Sequence, residues 1–199
     1  MGAKRFCCIL LMTLLLPLAA CGAKPSYDQQ ALALRTDYLA MTTCEGAADI
    51  TADYGQRVYE YSIDFSWQRD GETVLTLTSP DEVEGVTARI EQGETLLEFD
   101  QVALETGPLA EDGLAPIDCI PAMLEAIQSG YIAQCGEEVL DGITCLRLEI
   151  RNPDDEVGQG VRYSLWIEPK SGALIRGEIA QDGFTVIHCT FTAFTKELP

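Results

Sequence analysis

The stretch YEYSIDFSWQ, residues 59–68, alternates strictly between two kinds of side chain. Successive side chains of a β-strand point to opposite faces of the sheet, so this alternation predicts a strand with one apolar, largely aromatic face and one polar face. The odd-numbered positions form the apolar face: Tyr59, Tyr61, Ile63, Phe65 and Trp67. That face must lie against other parts of the protein or against something the protein binds.

The two-residue period continues from this strand to residue 105. A turn at Asp70-Gly71 leads into TVLTLTS (73–79), in which Leu75 and Leu77 share a face, and further alternating segments follow at 86–91 and 95–104. Short alternating runs separated by Gly, Asp and Pro are typical of antiparallel strands joined by tight turns. The sequence therefore predicts an antiparallel meander with one apolar face.

A second set of strands is predicted after residue 130. Asp141-Gly142 is a strong two-residue turn signal, and it places residue 140 opposite 143 and residue 138 opposite 145. A further hairpin turns at residues 169–172. The closing segment FTVIHCTFTAF (184–194) has four apolar positions on one predicted face, namely Ile187, Cys189, Phe191 and Ala193.

Two helices accompany these strands. Ser26 followed by Gln29 has the spacing of a capping box, which predicts a helix from there to about Gly46. Pro121 suits a first helical position and Gly130 a helix end. Because strands and helices do not alternate as βαβ units, the predicted class is α+β. We expect a curved antiparallel sheet, an unclosed half-barrel of about 7–8 strands or more, with the helices on its concave face.

The N-terminus has the pattern of an export signal. Lys4 and Arg5 precede an apolar run of about 13 residues, shorter than the roughly 20 that span a bilayer. LAAC, residues 18–21, resembles the bacterial lipobox, whose cysteine is diacylated. We therefore expect a signal peptide over 1–20, a lipidated tether over 21–26 and one domain over 27–199. Cys21 would anchor the protein to a membrane on its extracytoplasmic side; an uncleaved anchor or an ordinary signal is the alternative.

Charge and cysteine content limit the partners. The net charge is −19, and it becomes −21 if residues 1–20 are removed with Lys4 and Arg5, so nucleic acid is excluded as a partner. Five cysteines remain beyond Cys21, and none of them forms a C-x-x-C motif. They allow either two disulfides and a free thiol or five reduced thiols: Cys44, Cys119, Cys135, Cys145 and Cys189.

Two segments give the chain a family resemblance. LDGITCLRLEI (140–150) is a strand, a glycine turn and a strand, and LWIEPKSGALIRGEI (165–179) repeats the pattern around a Glu-Pro-x-x-Gly turn. With the leading helix and the aromatic strand, this order resembles the LolA/LolB/LppX-like fold over about residues 27–195. The resemblance implies an unclosed half-barrel whose concave face and helical lid enclose an apolar cavity for acyl chains.

These observations lead to a binding function. We expect the concave face to hold a lipid, an acyl chain or a lipidated peptide; the expected ligand-binding residues are Tyr59, Tyr61, Ile63, Phe65, Trp67, Leu75 and Leu77. The same residues would serve equally as core beneath the helices. The alternative function is an envelope sensory or interaction lipoprotein that binds a protein partner and has no ligand in its core.

Catalysis is not expected. The single histidine, His188, is adjacent to Cys189 on a predicted strand, where neighbouring side chains point apart, whereas a nucleophilic pair must converge. No nucleophile elbow, phosphate-binding loop or zinc-protease motif occurs. The sequence therefore predicts a protein that is not an enzyme and that needs no cofactor and no metal; its oligomeric state is left open.

Overall fold

A computed structural model describes residues 25–91, 93–107 and 112–199. It contains two helices, α1 (Tyr27–Ala40) and α2 (Cys119–Ser129). The strands are β1 (Thr43–Asp53), β2 (Val58–Gln68), β3 (Thr73–Ser79), β4 (Thr87–Glu91), β5 (Glu94–Phe99), β6 (Val102–Glu105), β7 (Tyr131–Leu140), β8 (Ile143–Arg151), β9 (Val161–Ile167), β10 (Leu174–Gln181) and β11 (Phe184–Glu197).

All of these strands belong to one antiparallel sheet in the order β6-β5-β4-β3-β2-β1-β11-β10-β9-β8-β7. The sheet consists of two meanders, β1 to β6 and β7 to β11, which join where β1 pairs with β11. The strands β6 and β7 are at opposite edges, so the sheet is unclosed. The predicted α+β class and half-barrel architecture are confirmed, and the connection from β6 to β7 carries α2 from one edge to the other.

The core lies on one face of the sheet, which we call the inner face. Cross-strand register places Ile63 opposite Leu77 and Phe65 opposite Leu75, as alternation requires. In the second meander Leu148 pairs with Leu165 on the same face. Long rows of apolar side chains thus meet across neighbouring strands, which is the main source of sheet stability.

Both helices pack on the inner face. A Cβ built at Gly177 of β10 would overlap Sδ of Met123, so α2 lies directly on the backbone of that strand. Arg35 of α1 donates from Nε to the Ile127 carbonyl at 2.8 Å and from an Nη to the Gly130 carbonyl at 2.5 Å. These bonds satisfy carbonyl groups at the end of α2 that lack helical partners, so α1 fixes the end of α2.

The first helix is shorter than predicted. Its capping box is present as expected, with Gln29 N donating to Ser26 Oγ and Ser26 N donating to Gln29 Oε1. The helix ends at Ala40 rather than near Gly46, and the next residues form β1, which the sequence analysis did not identify. The β-branched Thr42 and Thr43 begin a segment that pairs on both sides, with β2 and β11, and this pairing outweighs the helical pattern.

The segment 95–104 is a hairpin rather than a single strand. Asp100 and Gln101 both have positive φ, 47° and 67°, which allows the chain to reverse in a two-residue turn between β5 and β6. The hairpin at Asp141-Gly142 has the predicted register, with Leu140 opposite Ile143 and Glu138 opposite Cys145.

Candidate functional site

The seven residues predicted to bind a ligand all lie on the first meander. Ile63, Phe65 and Leu75 are fully buried in the core. Tyr61, Trp67 and Leu77 are half-buried against it, and Tyr59 is 37% exposed at the end of β2. The predicted common face is therefore present, with its centre occupied by core packing; a ligand-binding role for these residues stays a prediction.

An apolar groove lies elsewhere, between α2 and the strands β8 and β9. Its volume is about 460 Å³, within the range of small-molecule sites. The small side chains Ala122 and Ala126 of α2 form one wall, and Ile150, Val161 and Tyr163 form the other. Polar groups surround this apolar lining at the mouth: Glu125, Arg151, Asn152 and Asp155.

None of the seven predicted residues lines this groove. The residues that line the groove have two weak signals in the sequence. One is the pair of alanines four positions apart on α2, and the other is the set of inward-facing positions at the adjoining ends of β8 and β9. Either signal is equally consistent with ordinary core packing. The groove results from how α2 lies across the sheet, which the sequence pattern does not specify.

Two tyrosines hold the segment that leads into α2. Tyr163 donates its hydroxyl to the Asp112 carbonyl at 3.0 Å, and Tyr54 donates to the Leu114 carbonyl at 2.9 Å. Burial, assisted by the nearby Asp112 and Asp118, raises the pKa of Tyr163 to about 12, so its hydroxyl stays a donor at neutral pH. The approach to the groove is thus fixed by two hydrogen bonds from the sheet.

Asp118, the residue before α2, is the most perturbed carboxyl of this segment. It is only 3% exposed, and one carboxylate oxygen accepts a hydrogen bond from Ala115 N at 2.9 Å. Burial raises its pKa to about 6, and Asp112 acts in the same direction, while the backbone hydrogen bond from Ala115 opposes both. The entrance to α2 therefore contains a carboxyl group that titrates near neutral pH.

The histidine and cysteine side chains diverge, as the strand pattern requires. His188 Nδ1 lies 3.5 Å from Glu178 Oε1 on the outer face of the sheet, whereas Cys189 is fully buried on the inner face. The five cysteines of the domain are free thiols. Within residues 25–91, 93–107 and 112–199, no group of three or more His, Cys, Asp or Glu side chains is arranged to hold a metal ion.

The predicted lipidation site, Cys21, and the predicted signal peptide over 1–20 lie outside the described residues. In the part of the chain that the structure describes, neither helix combines the length and the apolar character needed to cross a membrane.

The chain is similar to several solved structures. A conserved uncharacterised protein from Thermus thermophilus matches with a TM-score of 0.53 at 11% identity, over 87% of this chain and 90% of that chain. A LolA superfamily protein from Nitrosomonas europaea matches with a TM-score of 0.45 at 12% identity, over 88% and 96%. The Mycobacterium tuberculosis lipoprotein LppX matches with a TM-score of 0.42 at 15% identity, over 87% and 95%.

At these identities the likeness concerns the fold alone. No protein-family model and no curated protein sequence matches the chain. The LolA/LppX-like fold that the sequence resembles is confirmed by the unclosed antiparallel sheet and the two helices on its inner face.

Proposed function

We propose that this protein is a membrane-anchored extracytoplasmic lipoprotein that binds a hydrophobic ligand on the inner face of its half-barrel. The observation that carries the proposal is the apolar groove of about 460 Å³ between α2 and the β8–β9 pair. A soluble domain of this size usually fills such a space with its own side chains. Here the helix presents alanines instead, and the space is left open between Ala126 and Val161.

The groove suits an acyl chain or another slender apolar group. Burial of apolar surface contributes about 0.8 kcal/mol for each methylene removed from water. An acyl chain leaving a bilayer gains almost nothing in comparison, so a binding protein must offer a site as dry as the membrane. The aliphatic and aromatic side chains of Ile150, Val161 and Tyr163 supply such a lining, and Arg151 stands at the mouth, where a polar group of the ligand would be.

The proposed anchor is a diacylated Cys21. Support for it comes from the lipobox-like LAAC at 18–21 and from the short distance in sequence between Cys21 and α1, which begins at Tyr27. Two acyl chains are sufficient for stable membrane attachment. The domain would then lie close to the bilayer surface, where acyl ligands and lipidated partners are abundant.

The proposed role is binding without catalysis. The groove is lined by alanine, aliphatic and tyrosine side chains, and among the described residues its polar rim contains no histidine, cysteine or serine. Its carboxylates, Glu125 and Asp155, belong to the exposed rim. Nothing at this site provides an activated nucleophile of the kind that acyl transfer requires.

Thermal unfolding in the presence of fatty acids of increasing length tests the binding function. Ligand that binds only the folded state stabilises it by about 2.7 kcal/mol at one hundred times the dissociation constant, or roughly 5–10 °C for a domain of this size. We expect saturable stabilisation of the wild-type protein. Ala126→Phe, which fills the groove, should abolish it, and Ala33→Phe, an exposed position on α1, should not.

A second pair of variants locates the ligand. If the ligand lies on the face predicted from sequence, Leu77→Ala will weaken binding and Ala126→Phe will leave it intact. Absence of saturable stabilisation by any fatty acid, phospholipid or detergent would reject the ligand-binding proposal. Native mass spectrometry gives an independent readout, because a co-purifying lipid appears as added mass.

Metabolic labelling with an alkyne fatty acid tests the anchor separately. We expect label on the wild-type protein and none on Cys21→Ala. Label that persists in Cys21→Ala would place acylation elsewhere, without affecting the proposal about the groove.

A further inference from the structure

Another cavity lies on the outer face of the sheet and adjoins the groove at Arg151. Its volume is about 190 Å³. The loop between β8 and β9 forms one wall through Gly158 and Gly160, and outer-face residues of β7, β8 and β9 form the other. Two of these outer-face residues are arginines, Arg151 and Arg162.

The two arginines are directly opposite each other in the pairing of β8 with β9. Like charges in such a position destabilise a sheet unless an anion lies between or beside them. Arg151 donates from Nη1 to the carbonyls of Asn152 at 3.0 Å and Asp155 at 3.1 Å, and both acceptors are uncharged. Arg162 has a buried Nε that finds no hydrogen-bond partner among the described residues.

A carboxylate is present in the cavity but is already engaged. Glu149 lines the cavity, and its Oε2 lies 3.4 Å from an Nη of Arg147, a residue outside the lining. Among the described residues, neither Arg151 nor Arg162 forms an ion pair with an aspartate or glutamate side chain. This is unexpected in a chain with 32 acidic and 13 basic residues. Two guanidinium groups thus face one small space, and the carboxylates around it are placed elsewhere: Glu149 beside Arg147, and Asp155 and Asp182 against Gly160.

We propose that Arg151 and Arg162 form a binding site for a small oxyanion, a phosphate or carboxylate group. Guanidinium groups bind such groups through paired, charge-assisted hydrogen bonds, and the planar fork matches their oxygens. The oxyanion would neutralise the two facing arginines. Arg162 distinguishes this site from the hydrophobic groove, because it is on the outer face while Val161 and Tyr163 are on the inner face. Arg151 is at the edge of both, so Arg162→Gln is the variant that reports on the anion site alone.

The anion has two possible sources, a free ion or the head group of an amphiphile. The test uses the full-length protein and measures its melting temperature against inorganic phosphate, with ionic strength held constant by chloride. Dihexanoyl phosphatidic acid and dihexanoyl phosphatidylcholine are titrated in parallel, below the concentrations at which they form micelles. Arg162→Gln and Arg151→Gln probe the site. Arg176→Gln, on the outer face of β10 and outside the cavity, controls for loss of one positive charge.

We expect a saturable increase in melting temperature for the wild-type protein and Arg176→Gln, with an apparent affinity at least about tenfold weaker in Arg162→Gln and Arg151→Gln. If phosphate and phosphatidic acid give equal responses, the ligand of the site is a free anion. If phosphatidic acid binds more strongly, the ligand is the head group of an amphiphile. Arg162→Lys keeps the charge and loses the buried Nε. It replaces Arg162→Gln in this test if Arg162→Gln is poorly folded. The proposal is overturned if no anion gives a saturable response, or if the cavity variants respond like Arg176→Gln.

Discussion

Met123 of α2 lies directly on Gly177 of β10, in the space that a side chain at that strand position would occupy. A Cβ at Gly177 would overlap Sδ of Met123 and would also approach Cδ2 of Leu165 at 3.3 Å. The thioether end of Met123 therefore occupies the space left by the absence of a side chain at residue 177.

Gly177→Ala should displace the Met123 side chain and disturb the packing of α2 on the sheet. Overpacking of a core typically costs about 1–3 kcal/mol, which corresponds to a decrease in melting temperature of roughly 2–4 °C for each kcal/mol in a domain of this size. Urea unfolding measures the change in free energy.

Gly136→Ala is the matched control, because Gly136 is also a strand glycine and a Cβ there meets nothing within 4 Å. We expect its stability to equal or slightly exceed that of the wild-type protein. If Gly177→Ala is as stable as Gly136→Ala, the packing around residue 177 adjusts to the added methyl group without cost.

The sequence was sufficient for features that depend on short-range rules. The register around Asp141-Gly142 follows from a two-residue turn, which places Glu138 opposite Cys145. The common face of Ile63, Phe65, Leu75 and Leu77 follows from alternation alone. In both cases a single local constraint determines where each side chain points.

Features that depend on pairing with distant strands could not be predicted. The central strand β1 has small inward residues, such as Gly46 and Ala48. A Cβ at Gly46 would overlap the backbone carbonyl oxygen of Ala193 and would also meet Phe65 Cε1 at 3.0 Å. The pattern of β1 therefore lacks the large apolar residues that identify strands. On β11 the register shifts between its partners Ala47 and Ala48.

This shift changes which residues of β11 point inward. The predicted face included Ala193, which is exposed, whereas Phe194 packs against Phe65 and Phe191 at ring distances of 6.1 Å and 5.8 Å. A bulge reverses the alternation beyond it. The groove was missed for a related reason, because its walls come from α2 and β8–β9, which meet only in the folded chain.

Tyr38→Phe should remove one buried hydrogen bond that joins α1 to the turn between β9 and β10. The Tyr38 hydroxyl is fully buried and donates to the Gly172 carbonyl at 2.8 Å. Loss of the donor leaves that carbonyl without this partner, which costs about 1–2 kcal/mol. Urea unfolding measures the loss.

Tyr59→Phe provides the comparison, because the Tyr59 hydroxyl is exposed and accepts only a long hydrogen bond of 3.4 Å from Arg57. We expect a change below about 0.5 kcal/mol for this exposed position. A loss of similar size in the two variants would contradict the assignment of a structural role to the Tyr38 hydroxyl.

Asp118 should make the protein more stable as the pH falls from neutral to about 4. Its pKa is about 6 in the folded state, above the ordinary value of 3.8, so the folded protein binds this proton more tightly than the unfolded chain does. The penalty for the buried charge is therefore fully present above about pH 6 and is relieved as pH falls towards the unfolded pKa. At neutral pH this penalty lowers the free energy of unfolding by about 3 kcal/mol.

Asp118→Asn keeps an acceptor for Ala115 N and removes the charge. We expect the variant to be more stable than the wild-type protein at pH 7 and to match it near pH 4, as measured by urea unfolding at each pH. Asp154→Asn, in the exposed loop after β8, should leave the pH dependence unchanged. If Asp118→Asn shows the same difference in unfolding free energy between pH 7 and pH 4 as the wild-type protein, another group is responsible for the pH dependence.

We predict that Cys119 of α2 and Cys189 of β11 can form a disulfide. Both side chains are fully buried, and the Cys119 side chain contributes to raising the pKa of Cys189, so the two thiols are neighbours. Burial, reinforced by the neighbouring Cys119, raises the pKa of Cys189, so the folded protein should react slowly. We expect the disulfide to form when the protein is refolded in a glutathione redox buffer. The two thiols then lose two protons and two electrons, and one molecule of oxidised glutathione takes them up to become two molecules of reduced glutathione.

The bond would close a loop of about 70 residues and, by chain entropy, stabilise the protein by up to about 4 kcal/mol. We expect mass spectrometry of a non-reduced digest to identify a peptide joining Cys119 to Cys189, and urea unfolding to show a stability gain that a reductant reverses. Cys119→Ala should abolish both, whereas Cys135→Ala should leave both intact, because Cys135 instead contacts Asp28 Oδ1 at 3.2 Å on α1. A cross-link between Cys135 and Cys145, or five free thiols after oxidative refolding, would contradict this pairing.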